Sequence, residues 1–254
     1  MFAALPSSQP SFHFRYFARG IAIDTWISSM TNGSPAPTCL AHFVLAGVTG
    51  WSLKHLPAQR TDSGFQIVFS LMVFLLVYGL FGLVRFSHPQ PSLAMRKLYE
   101  RFVLLARVCP LPFLNAQLLF DHHQSDRYCP APRLGTLCHN GSLGYVLLAS
   151  ALVAFVAGCV YSELSQRHIA DHVATGVLLL NLLALGLLAC DTDNYWGVGL
   201  AVSFGTKHFA LPWLADQFCI PFVDLYTFGL IFYEIFTVNV LLDAQFSNTN
   251  TLVK

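Results

Sequence analysis

The chain has 254 residues, of which 55% are hydrophobic and only 11% charged, and its formal net charge is +1. Ordinary soluble domains carry about 25% charged residues, so the composition points to one membrane domain with short loops and leaves no room for a sizeable separate soluble domain. The near-neutral balance, without any Lys/Arg cluster interleaved with aromatics, excludes a nucleic-acid binder, and the lack of a Cys-x-x-Cys pair removes zinc ribbons and thioredoxin-type redox sites.

Residues 1–37 read as a cytosolic tail. Pro6, Pro10, Arg15, Arg19 and Asp24 interrupt any apolar stretch, which argues against a cleavable signal peptide. The acid-free start, with its two arginines and three serines, loosely resembles a mitochondrial presequence, but Pro6 and Pro10 spoil an amphipathic helix there. The spans follow over residues 38–242. A short one runs from Thr38 to Leu53. The strongest is Phe65–Val84, inside an uncharged run of 22 residues from Ser63 to Val84; about 20 apolar residues at 1.5 Å rise cross a hydrocarbon core of about 30 Å. Lys97–Phe120, Leu143–Tyr161 and His168–Cys190 are the next three. Tyr195–Leu214 is a weak candidate, carrying Gly197, Gly199, Gly205, Lys207 and His208, and could be re-entrant instead. Phe218–Leu242 is the last, and residues 243–254 form a C-terminal tail. The expectation is an all-α, polytopic helical bundle with six or seven transmembrane helices.

Orientation follows from the loop cations. Of the 14 lysines and arginines, Arg107 lies inside a span. With the N-terminus cytosolic, eight of the remaining 13 face the cytosol and five the other side, for six spans or seven alike. This puts the loop 121–142 in a lumen. It carries Asn140-Gly141-Ser142, an N-glycosylation acceptor pattern, and Cys129 and Cys138, close enough to bridge in an oxidising compartment. A second acceptor pattern at Asn32 would face the cytosol and stay idle. The membrane expected is that of the endoplasmic reticulum or another secretory compartment, with the mitochondrial inner membrane as the alternative.

Ionisable groups inside spans cost at least about 2.5–3.5 kcal/mol to insert and so point to interior contacts or function. Arg107 lies near the middle of the third span, Glu234 near the middle of the last, and Asp224 one to two turns into that last span. Thr227 and Glu234 share a helix face, with Asp224 on its flank. Matched depth and opposite sign predict an Arg107–Glu234 pair. Pro110 and Pro112, just after Arg107, predict a kink or break, since each removes a helix donor and crowds the preceding turn. Freed backbone groups at such a break hold ligands in carriers.

The histidines invite a metal reading. His168 and His172 share a face with Asp171 between them, and Asp121, His122, His123 and Asp126 close the third span. Zinc on such groups would activate a water for hydrolysis, as in intramembrane hydrolases of the alkaline ceramidase type. That comparison fails here, because His122 and His123 fall on the lumenal side while His168 and His172 enter from the cytosol. No metal or other cofactor is expected, no catalytic residue stands out, and no Gly-rich phosphate loop or Gly-x-Ser-x-Gly elbow occurs. The reading that follows is a non-enzymatic accessory, scaffold or assembly protein acting through the bilayer and membrane-protein partners. A transporter or channel using Arg107, Asp224 and Glu234 is the alternative, and a membrane-embedded metal-dependent hydrolase the second.

Overall fold

The structure, a computed structural model, describes residues 35–56, 67–88, 90–125, 142–163 and 167–252. Cys129, Cys138 and Asn140 lie outside the described residues, as do the side chains of His122 and His123. The described chain is helical throughout: α1 (Pro35–His55), α2 (Ile67–Ser87), α3 (Leu93–Val108), α4 (Pro110–Ser125), α5 (Ser142–Glu163), α6 (Arg167–Asp191), α7 (Tyr195–Phe209), α8 (Leu211–Phe218) and α9 (Phe222–Leu252). Five of them, α1, α2, α5, α6 and α9, are long and apolar enough to cross a bilayer, and the bent pair α3–α4 makes six.

Several boundaries move from the sequence reading: the third span opens at Leu93 rather than Lys97, and the last at Phe222 rather than Phe218. The first helix starts at Pro35, since a proline's fixed φ and missing N–H suit a first turn. The last helix continues ten residues past Leu242 to Leu252, through the expected tail. The expected break is present: α3 and α4 meet at Cys109 with a 43° bend. Ser92 caps α3, its side chain accepting from the Met95 N–H at 3.2 Å.

Contacts fix how the helices run. α1 and α2 are antiparallel, with Cys39 beside Ser87 and Ala46 against Gly79. α2 pairs Phe74 with Phe102 on α3 and the Ile67 N–H with Gln117 on α4, again antiparallel. α5 sets Gly144 against Phe120 and Gly158 against Leu104, so it too runs against α3–α4. α6 runs parallel to α3–α4, since Arg107 meets Asp171 and Asn115 meets Asn181. α7 returns along α6, from Gly197 at Ala189 to His208 at Thr175. It also runs against α9, pairing Asn194 with Val240 and Phe204 with Tyr233. α9 and α1 are parallel, with Thr38 within hydrogen-bonding reach of Asp224 and Thr49 on Glu234.

The bundle is therefore a ring closed by α9 on α1, with α4 at its centre, where Leu111, Leu114, Asn115 and Ala116 are all at most 1% exposed. Large apolar side chains face outward on nearly every helix, among them Phe43, Val77, Val153, Leu183, Val202 and Phe232. Polar ones face inward, including Thr49, Asn181, Lys207 and Glu234. This is the reverse of a water-soluble surface.

Candidate functional site

The break between α3 and α4 organises the interior. Pro110 has no N–H to give to the Ala106 carbonyl one turn back. That carbonyl instead accepts the Tyr226 hydroxyl of α9 at 3.1 Å, and the Pro110 carbonyl accepts the Tyr233 hydroxyl at 2.7 Å. The carbonyl freed by Pro110 is thus bound by a neighbouring helix rather than held open for a ligand. A cavity of about 10 Å³ remains beside it, lined by Arg107, Val108, Leu111, Pro112, Ala174, Val177, Leu178 and Phe204. It has room for about one water.

Arg107 does not pair with Glu234. Its Nη1 donates to Asp171 Oδ1 at 3.1 Å, with side chains 13% and 4% exposed. Arg107 closes α3, whose end lies against the first turns of the parallel helix α6, and that register presents Asp171 to it. The sequence signal was available, because Asp171 is an acid in the opening turns of an otherwise apolar helix. His168 and His172 themselves are exposed, with ring centroids 6.5 Å apart. Asp171, which a metal site there would recruit, is taken by Arg107. The parallel course of α3–α4 and α6 also sets the end of α4 and the start of α6 at opposite ends of the bundle. Among the described residues, no three His, Cys, Asp or Glu side chains stand close enough to hold a metal ion.

Glu234 is fully buried, at 0% exposure, and meets α1. The Thr49 hydroxyl lies 2.7 Å from Glu234 Oε1, while Glu234 Oε2, Ser52 Oγ and Thr237 Oγ1 are buried and make no hydrogen bond among the described residues. Asp224 lies in the first turn of α9, not one to two turns in, because the helix starts at Phe222 rather than Phe218; it sits beside Thr38.

Three further groups were not singled out by sequence. His42 on α1 meets the Tyr99 hydroxyl through Nε2 at 2.8 Å, and Tyr99 meets Tyr78 at 3.4 Å. Arg85, counted as a loop cation, is 8% exposed and its guanidinium lies 4.3 Å from the Tyr99 ring centroid. Lys207 is 4% exposed, its ammonium 4.0 Å from the Phe204 ring and 4.3 Å from Tyr226. A cation over an aromatic face is attracted by the ring quadrupole, the more so away from water. Gly229 makes room for it, since a Cβ there would come within 2.6 Å of the Lys207 stem. A separate polar link joins α4, α5 and α6, where the Asn115 amide donates to Asn181 Oδ1 at 3.1 Å and the Asn181 amide to Ser150 Oγ at 3.3 Å.

No family model matches this chain, and neither the curated proteins nor the solved structures hold a match to it.

Proposed function

We propose that this is a seven-pass integral membrane protein with a cytosolic N-terminus, acting as a non-enzymatic accessory or assembly protein through membrane partners or lipids. The seventh pass comes from α7 and α8. α6 and α9 both run parallel to α1 or α3–α4, so the chain between them must return from one end of the bundle to the other. Neither α7, of 15 residues, nor α8, of eight, is long enough alone, but residues 195–218 together have the length a crossing needs. The loop-cation bias supports the inward N-terminus, and a secretory-pathway membrane, with a lumenal loop glycosylated at Asn140 and bridged through Cys129 and Cys138, goes with it. The mitochondrial inner membrane is the alternative. Loss of a glycosidase-sensitive gel shift in Asn140→Gln would support the first.

One observation carries the accessory reading: most interior polar groups are used to tie one helix to another. Arg107–Asp171, Asn115–Asn181–Ser150, Asn194 to the Val240 carbonyl, and both tyrosine hydroxyls at the helix break each join different helices. Such bonds act as packing and register devices.

A second reading, a carrier, is favoured by Glu234, whose second oxygen and neighbouring hydroxyls are not used in this way. Glu234→Gln separates the two. An accessory protein keeps its assembly size on native electrophoresis in mild detergent and passes no ions in proteoliposomes with either residue. A carrier shows wild-type flux that the substitution removes while the fold is kept.

A further inference from the structure

Four side chains at the α1–α9 seam, Thr49 and Ser52 on α1 and Glu234 and Thr237 on α9, are each 0% exposed. The helices run parallel in constant register, so that Thr38 meets Asp224 and Thr49 meets Glu234. The same register sets Ser52 level with Thr237, one turn further on.

The protons in this seam can be counted. Thr49 Oγ1 lies 2.8 Å from the Leu45 carbonyl, four residues back on its own helix, and 2.7 Å from Glu234 Oε1. A hydroxyl has one proton to give and two lone pairs to receive with. A carbonyl has only lone pairs, so the Leu45 contact is a hydrogen bond only if Thr49 donates to it. Thr49 must then accept at its other contact, and the proton between it and Glu234 belongs to the carboxyl group.

The surroundings agree with a neutral acid. Two cations of the bundle interior have other partners: Arg107 is on Asp171 and Lys207 lies between the Phe204 and Tyr226 rings. Of the elements packed on α9, α1 faces Glu234 with the Thr49 hydroxyl. α7 brings Phe204 to the neighbouring Tyr233, and its Lys207 meets α9 at Tyr226 and Gly229, one to two turns nearer the start of α9. Tyr233 on α9 itself donates to the Pro110 carbonyl. No charged partner stands against either carboxyl oxygen among the described residues. A buried carboxylate without one is costly, whereas a carboxylic acid with its proton hydrogen-bonded is not.

We propose that Glu234 is a proton-binding site: it sits in the α1–α9 seam as the carboxylic acid, donates its proton to Thr49, and has the Ser52–Thr237 pair of hydroxyls one turn away. The proposal is independent of whether the protein is an accessory factor or a carrier. In a carrier it would supply the exchangeable proton.

Infrared spectroscopy of the full-length protein in lipid tests it without any flux assay. The wild-type minus Glu234→Gln difference spectrum is expected to contain the C=O stretch of one protonated carboxyl, moving to lower frequency in D2O. Thr49→Val, a near-isosteric change that leaves the acid in place, is expected to move that band to higher frequency by removing the acceptor. Loss of a carboxylate pair of bands in the first difference would overturn the proposal. So would a protonated-carboxyl band that Thr49→Val leaves unmoved, since the proton would then not lie between these two groups.

Discussion

Gly82→Ala adds a single methyl group where the bundle has no space for it. A Cβ at position 82 would fall on the His42 ring, 2.6 Å from its Cε1. That ring has little freedom to yield. It is 0% exposed, held by the Tyr99 hydroxyl at 2.8 Å, edge-on to Tyr78 at 5.2 Å and stacked on Phe86 at 5.7 Å. Overpacking a well-filled interior costs about 1–3 kcal/mol, and displacing the imidazole forfeits a buried hydrogen bond of about 0.5–1.5 kcal/mol. The expected destabilisation is about 1.5–4.5 kcal/mol. Gly47→Ala on α1 is the internal control, since a Cβ there meets nothing within 4 Å, and replacing a helical glycine by alanine gains about 0.5–1 kcal/mol. Reversible unfolding in mixed micelles, followed by SDS titration, measures both. His42→Ala combined with Gly82→Ala should recover most of the clash term. If Gly82→Ala and Gly47→Ala unfold within about 0.5 kcal/mol of each other, a margin set by ordinary surface substitutions, the packing described for α1 and α2 is wrong.

The same assay serves three further tests. Arg107→Ala and Asp171→Ala should be coupled by about 0.5–3 kcal/mol in a double-mutant cycle, whereas Arg107→Ala and Glu234→Ala should add to within about 0.5 kcal/mol. Tyr226→Phe removes the hydroxyl that satisfies the Ala106 carbonyl and should cost about 0.6–1.7 kcal/mol, the range of interhelical hydrogen bonds in membranes. Gly229→Ala should cost about 1–3 kcal/mol by pressing on the Lys207 stem, while Gly205→Ala, whose Cβ would meet only Leu182 at 3.8 Å, should be tolerated.

Much of the fold was legible because its signals are local. An uncharged run of membrane length such as Ser63–Val84 needs no knowledge of its neighbours, and Pro110 with Pro112 predicts a break from backbone chemistry alone. The site was less legible because charge partners are chosen by helix register. Arg107 and Glu234 match in depth and are opposite in sign, but whether they meet depends on which helix faces Arg107, and that helix is α6. Pairing along one helix leaves a spacing in the sequence, whereas pairing between helices leaves none. Thr49 and Tyr99 carry no mark that distinguishes them from other span residues until Glu234 and His42 are seen opposite. Tyr195–Leu214 read as a weak span for a physical reason as well. Its backbone breaks at Ala210, two residues before Pro212, and Lys207 draws its stabilisation from two rings that hydropathy cannot register.

The central claim is that α7 and α8 carry the chain back between α6 and α9, making the number of passes odd. Small epitope tags in residues 1–34 and after Leu252, probed by antibody in intact and selectively permeabilised cells, test it most directly. The account predicts that the N-terminal tag faces the cytosol and the C-terminal tag the opposite side. Both tags on one side would contradict it, leaving α7–α8 as a hairpin that enters and leaves by the same face.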